Sequence, residues 1–260
     1  MFKISSVVIA KNEELNIRRC IESQLSCIDE IIVIIDEESE DKTLEIVKSF
    51  TANSANLRVK YDILRWQGYT RTKQHAVSSS SNSWILWIDA DEELTPALSD
   101  EIIKFKNSSP PFKAYSIPRR AFFLGRWIKH SGWYPGRVTR LFDKNEVRFS
   151  ESDVHEHLVV NSGTGELQND INHYTDPTIH HYFVKFNRYT TLAAEELSNK
   201  GKTFLISDLI LRPLFLFIKM YIIKRGFLDG IQGFILAVFS SAYVFTKYSK
   251  LWELRRDKKK

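Results

Sequence analysis

Three stretches of the chain are apolar at almost every position: Ile4 to Ala10, Ile31 to Ile35 and Trp84 to Ile88. Short apolar runs of this kind, the second β-branched throughout, predict strands buried on both faces, as in a parallel sheet. Between them the period changes. Leu15, Ile17, Cys20, Ile21 and Leu25 fall at helical spacing, and Thr43 to Phe50 and Thr70 to Val77 predict two further helices. Leu57 to Tyr61 predicts another strand, and Thr95-Pro96 opens a helix after the last apolar run. Strands alternating with helices over the first hundred residues predict a doubly wound α/β sheet with helices on both faces.

Beyond Pro110-Pro111 the texture changes. Tyr115 to Pro118, Arg137 to Phe142 and Val147 to Phe149 are short strand-like pieces broken by Gly and Pro. Between them lies Gly125 to Gly136, rich in aromatics and bases, which suits either a platform for sugar rings and phosphates or a structural cover. From Thr178 the pattern is helical through Tyr182, Phe186, Tyr189, Leu192 and Leu197. Phe204 to Ile223 and Gly226 to Phe245 follow as apolar segments, neither offering the ~20 uninterrupted apolar residues of a spanning helix. They read as a buried helical hairpin or as an interfacial anchor. The bases that follow, Lys247, Lys250, Arg255, Arg256 and Lys258 to Lys260, favour the anchor and an anionic membrane surface met through residues 203–260.

The remaining totals narrow the classes. A length of 260 residues suits one large domain, here 1–200 (a first half over 1–100 and a second over 110–175), followed by a helical, basic region over 201–260. The net charge of +5 is uneven, acids gathering early and bases late. Nucleic acid as the acidic partner finds no recognition fold or stacking motif in its favour. Cys20 and Cys27 fit neither a zinc site nor a disulfide framework, which indicates a reducing cytosolic setting. The amino terminus enters a strand directly and lacks a signal-peptide hydrophobic region.

The apolar run ending at Ile88 stops in acid, with Asp89, Asp91, Glu92 and Glu93. Ligands of open α/β sheets bind beyond the carboxyl ends of strands, so carboxylates at Asp36 and Asp89 are expected to face one crevice. An Asp-x-Asp pair suits a hard divalent ion with open positions for phosphate oxygens, and such an ion neutralises the charge of a departing diphosphate. Asp153-Val154-His155-Glu156-His157 is not a zincin motif, since its histidines lie two apart.

Val7 to Glu14, the Asp36…Ser39-x-Asp41 turn and Asp89-Ala90-Asp91 resemble family 2 glycosyltransferases with the GT-A fold. Gly132-Trp133-Tyr134-Pro135, Arg140-Leu141-Phe142, Val154-His155-Glu156, His173-Tyr174-Thr175 through Asn187-Arg188-Tyr189, and Gly226 to Gly230 are similar to lipopolysaccharide-core β-1,4-glucosyltransferases of the WaaE/KdtX type. The resemblance covers nearly the whole chain in matching order. It implies a GT-A, Rossmann-like, mostly parallel mixed sheet with a C-terminal membrane-associating region. It further implies an inverting enzyme that moves a hexose, glucose as the best guess, from a UDP-sugar to the inner core of a lipid-linked saccharide. The setting would be the cytoplasmic face of a bacterial inner membrane. Two rivals stand beside it: transfer onto a polyprenyl phosphate or another envelope glycan, and a non-catalytic nucleotide-sugar-binding scaffold.

The resemblance also implies roles for single residues. Asp36 would accept a hydrogen bond from uracil, with Ala10, Asn12 and Glu13 lining the nucleotide pocket. The turn departs from the family's Asp-x-Gly-Ser-Thr-Asp, with Glu37, Glu38 and Glu40 replacing a spacer, Gly and Thr, which requires these side chains to face water. Arg71 and Lys73 would meet the diphosphate. Mn²⁺ or Mg²⁺ would be held by Asp91, Asp89 (alternatively bridging to the ribose) and His173, with His180 and His181 as fallbacks. Glu156 would take the proton of the attacking hydroxyl, with His155 either holding it by a hydrogen bond or binding acceptor phosphate. The loop Trp127 to Pro135 would help seat the sugars.

Overall fold

The computed structural model describes residues 1–51, 58–66, 69–149, 158–160 and 163–257. In chain order its elements are β1 (Ile4–Ala10), α1 (Ile17–Glu22), β2 (Glu30–Asp36), α2 (Thr43–Thr51), β3 (Arg58–Leu64), α3 (Tyr69–Ser78), β4 (Trp84–Asp89) and β5 (Glu92–Leu94). Then come α4 (Pro96–Lys106), β6 (Ala114–Phe123), β7 (Arg126–Trp127), β8 (Gly136–Asp143), β9 (Val147–Phe149), β10 (Leu158–Val160), β11 (Gly165–Glu166) and β12 (Ile171–Asp176). Three long helices follow: α5 (Ile179–Asn199), α6 (Ile206–Phe217) and α7 (Gly230–Asp257).

The main sheet runs β3-β2-β1-β4-β8-β6-β12-β5, with β7 and β11 added to β6, and β9 pairs with β10 separately. Strands β3, β2, β1 and β4 are mutually parallel, whereas β4 meets β8 and β5 meets β12 antiparallel. The sheet is therefore mixed with a parallel core, as the apolar runs predict. Alternate residues of those runs point to opposite covers. Val8, Ile31, Val33, Leu86 and Ile88 join Ile17, Ile21, Leu98 and Ile102 on one face. Val7, Ile32, Ile34, Ile85 and Trp87 join Ala76, Val77 and Phe142 on the other.

Three predicted elements change. The helix expected over Leu15 to Leu25 contracts to Ile17–Glu22, leaving both leucines exposed. The strand expected over Leu57 to Tyr61 is observed as Arg58–Leu64, held in parallel register by β2. Glu92 to Leu94, which follow the Asp-x-Asp pair, form a strand because β12 supplies an antiparallel partner. Thr95 caps α4, its hydroxyl accepting from the Leu98 N–H with Pro96 at the first helical position.

The chain forms two compact units, one of residues 1–119 and 137–173, the other of residues 120–136 and 174–260. The second is largely helical. Its last helix continues past Phe245 as one 28-residue element, and Gly226–Arg256 is long and apolar enough to cross a membrane by length and composition. Lys250 stays within it because its ammonium reaches Asn187 O at 3.0 Å, Thr190 Oγ1 at 2.9 Å and Thr191 Oγ1 at 2.8 Å on α5.

Candidate functional site

Strand β1 lies between β2 and β4, with Ala10 opposite Ile35 and Ile9 opposite Asp89. The connection after β1 leads to one side and β4 returns on the other, so the switch in strand order falls at the carboxyl end of β1. Asp36 and Asp89 end the two flanking strands, and the structure places both there as expected.

The Asp36 carboxylate is buried. One oxygen accepts the Glu38 N–H at 2.9 Å and the other lies 3.1 Å from Lys11 Nζ. Lys11 also bonds Glu38 at 2.6 Å, and its ammonium is held protonated above its ordinary range by Glu38 and then Asp36. A base meeting Asp36 must therefore displace Lys11 or stack beside it. The acidic turn is fastened to the segment after β1. Asn12, at φ 55°, accepts the Glu40 N–H at 2.8 Å; Thr43 Oγ1 accepts the Glu13 N–H at 2.8 Å; Asp41 accepts the Glu14 N–H at 2.9 Å. Glu37, Glu38 and Glu40 point to solvent, as the extra acids require, Glu37 lying 3.7 Å from Arg65.

At the end of β4 the acids are handled differently. Arg140 on β8, itself buried, donates one guanidinium nitrogen to both Asp89 and Glu92, the latter at 2.8 Å. Glu92 also accepts the Asp89 N–H at 3.0 Å and lies 3.7 Å from Arg119. Burial favours the neutral form of Asp89, but Arg140 and then Lys73 outweigh it and hold the carboxyl well below its usual range. For Glu92 burial is the largest influence, and its carboxyl is pushed up. Two acids facing one guanidinium, Glu92 buried and Asp89 half-buried, are thereby driven apart.

Lys73 on α3 sits over the Trp87 ring, 3.6 Å from its centroid, whereas Arg71 on the same helix is exposed. Of the two bases expected to meet a diphosphate, Lys73 is near enough to Asp89 to lower its pKa. Asp91 turns the other way and meets His173 of β12, with Oδ2 and Nε2 3.3 Å apart. Their closeness follows from pairing, since His173 stands opposite Glu92 in the β5–β12 register. The Asp89 carboxylate is engaged by Arg140. Among the described residues no group of three His, Cys, Asp or Glu side chains is arranged to hold a metal ion.

His181 lies in the helical unit, with Nδ1 3.3 Å from Asp176. Glu156 and His155 lie outside the described residues. Two members of the acid cluster escaped sequence reasoning: Glu92, read only as part of the acidic run, and Arg140, read only within Arg140-Leu141-Phe142. A lone arginine opening an apolar strand piece was the available signal. A sheet core that admits arginine does so opposite acid.

Within the helical unit, the rings of the Trp-rich loop are already engaged. Trp133 packs edge-on to Phe123 at 6.3 Å, and Trp127 carries Arg120 at 4.8 Å and Lys129 at 4.6 Å from its centroid.

An open, mostly parallel sheet with carboxylates, a lysine and an imidazole gathered beyond its strand ends defines the nucleotide-binding α/β class. The chain belongs to the family described as glycosyl transferase family 2, which matches residues 5–162, and it is a glycosyltransferase of that family. It is 33% identical to an uncharacterized glycosyltransferase of Rickettsia typhi, over 98% of this chain and 88% of that protein. It is 29% identical to the lipopolysaccharide core biosynthesis glycosyltransferase LpsC of Rhizobium meliloti, over 96% of this chain and 92% of that protein. Among solved structures it resembles the mannosyltransferase PcManGT of Pyrobaculum calidifontis in complex with GDP-Man and Mn²⁺. That likeness has a TM-score of 0.59 at 11% identity over 96% of this chain and 87% of the other, and shows a shared fold.

Proposed function

We propose that the protein is a metal-dependent, inverting hexosyltransferase that uses a UDP-sugar, with UDP-glucose as first choice. The acceptor would be the inner core of lipopolysaccharide or lipooligosaccharide, met at the cytoplasmic face of a bacterial inner membrane. Full-length similarity to a lipopolysaccharide core glycosyltransferase supports the acceptor class.

The observation that carries the reading is the Asp91–His173 pair beside the Asp89–Arg140–Glu92 cluster. A carboxylate and an imidazole 3.3 Å apart, the imidazole with its second nitrogen buried and without a hydrogen-bond partner among the described residues, offer two donors suited to Mn²⁺. The remaining positions would fall to diphosphate oxygens and water. When bound, the ion would supply charge stabilisation to the departing UDP.

The chain's own residues have separable tasks. Asp36 with Ala10, Asn12 and Glu13 would line the nucleotide pocket. Lys73, with Arg71 from the exposed side of α3, would face the diphosphate. Arg140 keeps Asp89 ionised and aimed, leaving it able to accept from a ribose hydroxyl. Glu156 would take the acceptor proton as the hydroxyl attacks the face of the sugar opposite UDP, inverting the anomeric carbon. Residues 203–260 would hold the enzyme at the membrane. Mannose and GDP enter the test as competitors, because the fold also occurs in a protein solved with GDP-Man and Mn²⁺.

The test is nucleotide release from a panel of UDP- and GDP-sugars with Mn²⁺ and with EDTA. Mn²⁺-dependent turnover of UDP-glucose, lost about 10²-fold to 10³-fold in Asp91→Asn, is expected. Glu156→Gln should lose transfer and keep UDP affinity. Turnover unaffected by EDTA would remove the metal, and nucleotide binding without any turnover would leave a binding scaffold.

A further inference from the structure

Helix α6 has an unusual distribution of side chains. Its buried positions include Asp208, whereas Ile210, Leu214, Ile218 and Ile222, four residues apart along α6 and the helical turn that follows, are exposed. A helix apolar on most sides needs a cover on most sides, and in the helical unit the described contacts of α6 are mainly with α7. The exposed stripe leads into the turn before α7, where Phe227, Leu228 and Ile231 are also exposed. Lys224 and Arg225 interrupt it with charge.

This turn is tied to the aromatic, basic loop. Asp229 is 2% exposed; its carboxylate accepts the N–H of Lys129 at 3.1 Å and of His130 at 2.9 Å, and lies 3.0 Å from His130 Nδ1. The Ser131 N–H donates to the Lys224 carbonyl at 3.0 Å, and Arg126 reaches the Leu228 carbonyl at 3.4 Å. Gly226 permits the approach: a Cβ there would stand 2.5 Å from Ser131 Oγ and 2.8 Å from the Met220 carbonyl. Loop and turn thus form one body carrying Arg126, Lys129, Lys224 and Arg225 beside exposed Phe227 and Leu228. Cations and indole rings next to bulky apolar side chains match the headgroup level of a membrane, where both kinds of group concentrate. An ordinary protein interface would place charge at the rim rather than within the apolar stripe.

We propose that the α6–α7 turn, with the loop Arg126–Trp133 fastened to it by Asp229, is the face that seats on an anionic bilayer. Phe227, Leu228 and Ile231 enter the acyl boundary, and the four bases meet lipid phosphates. The proposal rests on the membrane association above and goes further by locating the contact and bringing the loop into it. The loop then serves the lipid surface rather than stacking on sugar rings.

The test uses the full chain and vesicles of phosphatidylcholine with or without phosphatidylglycerol. Co-sedimentation with the anionic vesicles is expected, falling about tenfold or more in Phe227→Ser/Leu228→Ser and in Lys224→Glu/Arg225→Glu. These side chains are exposed, so unchanged thermal melts would show that the variants are folded. Vesicles should slow hydrogen exchange over residues 126–133 in the wild type. Asp229→Asn should keep vesicle binding and lose that slowing. Wild type that binds vesicles as well as both double variants do would overturn this face and spare the membrane reading. Wild type that binds none would overturn both. A solution dimer dissolved by the same variants, without vesicle binding, would replace the bilayer by a second copy of the chain.

Discussion

The two compact units use similar apolar sequence to opposite ends. In the first, Ile31 to Ile35 and Trp84 to Ile88 are sealed between helices on one side and α3 with β8 on the other. In the second, Ile210, Leu214, Phe215 and Ile222 are equally apolar and remain exposed. Hydrophobicity alone therefore does not assign a residue to the core; what matters is whether the fold supplies a second layer. The polar groups show the same contrast. The first unit buries Glu92 and must answer it with Arg140, whereas the second buries Asp229 and answers it mainly with backbone N–H groups.

Breaking the buried cluster should have the largest effect. Arg140→Met leaves Asp89 and Glu92 facing one another without their cation, and is expected to lower stability by roughly 3–5 kcal/mol in urea denaturation. A loss below about 1 kcal/mol would mean that water reaches the cluster. Leu86→Ala removes a fully buried side chain from one face of the sheet and should cost about 2–5 kcal/mol by the same measurement.

Glu30 tests the acid limb of the stability profile. Buried at the start of β2, it bonds Lys60 Nζ at 2.7 Å, Ser5 Oγ at 2.5 Å and the Ser81 N–H at 2.8 Å. Burial opposes ionisation, yet these partners outweigh it and lower the pKa from 4.5 to about 2. A depressed folded-state value stabilises fully above the unfolded pKa, so this contribution is present above about pH 4.5 and is lost as pH falls toward 2. Glu30→Gln should therefore flatten that limb of a urea-midpoint profile; an unchanged slope would assign acid sensitivity to other groups. Phe215→Ser should change stability least, within ~0.5 kcal/mol, because the residue is 61% exposed. A cost like that of Leu86→Ala would instead show that α6 is covered in solution and would close the gap between the units.

Much of the nucleotide half was legible because a parallel strand buried on both faces leaves an unbroken apolar run. Ile4 to Ala10 reads as β1 without adjustment, and the acids after Trp84 to Ile88 mark a strand end facing a crevice. From the residues alone the site was legible as carboxylates at strand ends, and the family resemblance added His173 and the bases of α3. Lys11 over Asp36, Lys73 over Trp87 and Arg140 between Asp89 and Glu92 depend on which strands and helices become neighbours. The sequence places these bases in motifs but does not say which acid or ring each one meets.

By itself, then, the sequence determined the alternation of strands and helices, the acids at the strand ends and the family to which the chain belongs. Each follows from local spacing or from residues adjacent along the chain. Tertiary structure decided that β5 exists at all, that Asp91 meets His173, that one arginine serves two acids, and that the aromatic loop is bound to a helical turn a hundred residues away through Asp229. Those outcomes need pairing across the chain. A side chain's charge is fixed by its chemistry, but its neighbours, and with them its pKa and its task, exist only once distant segments are packed together.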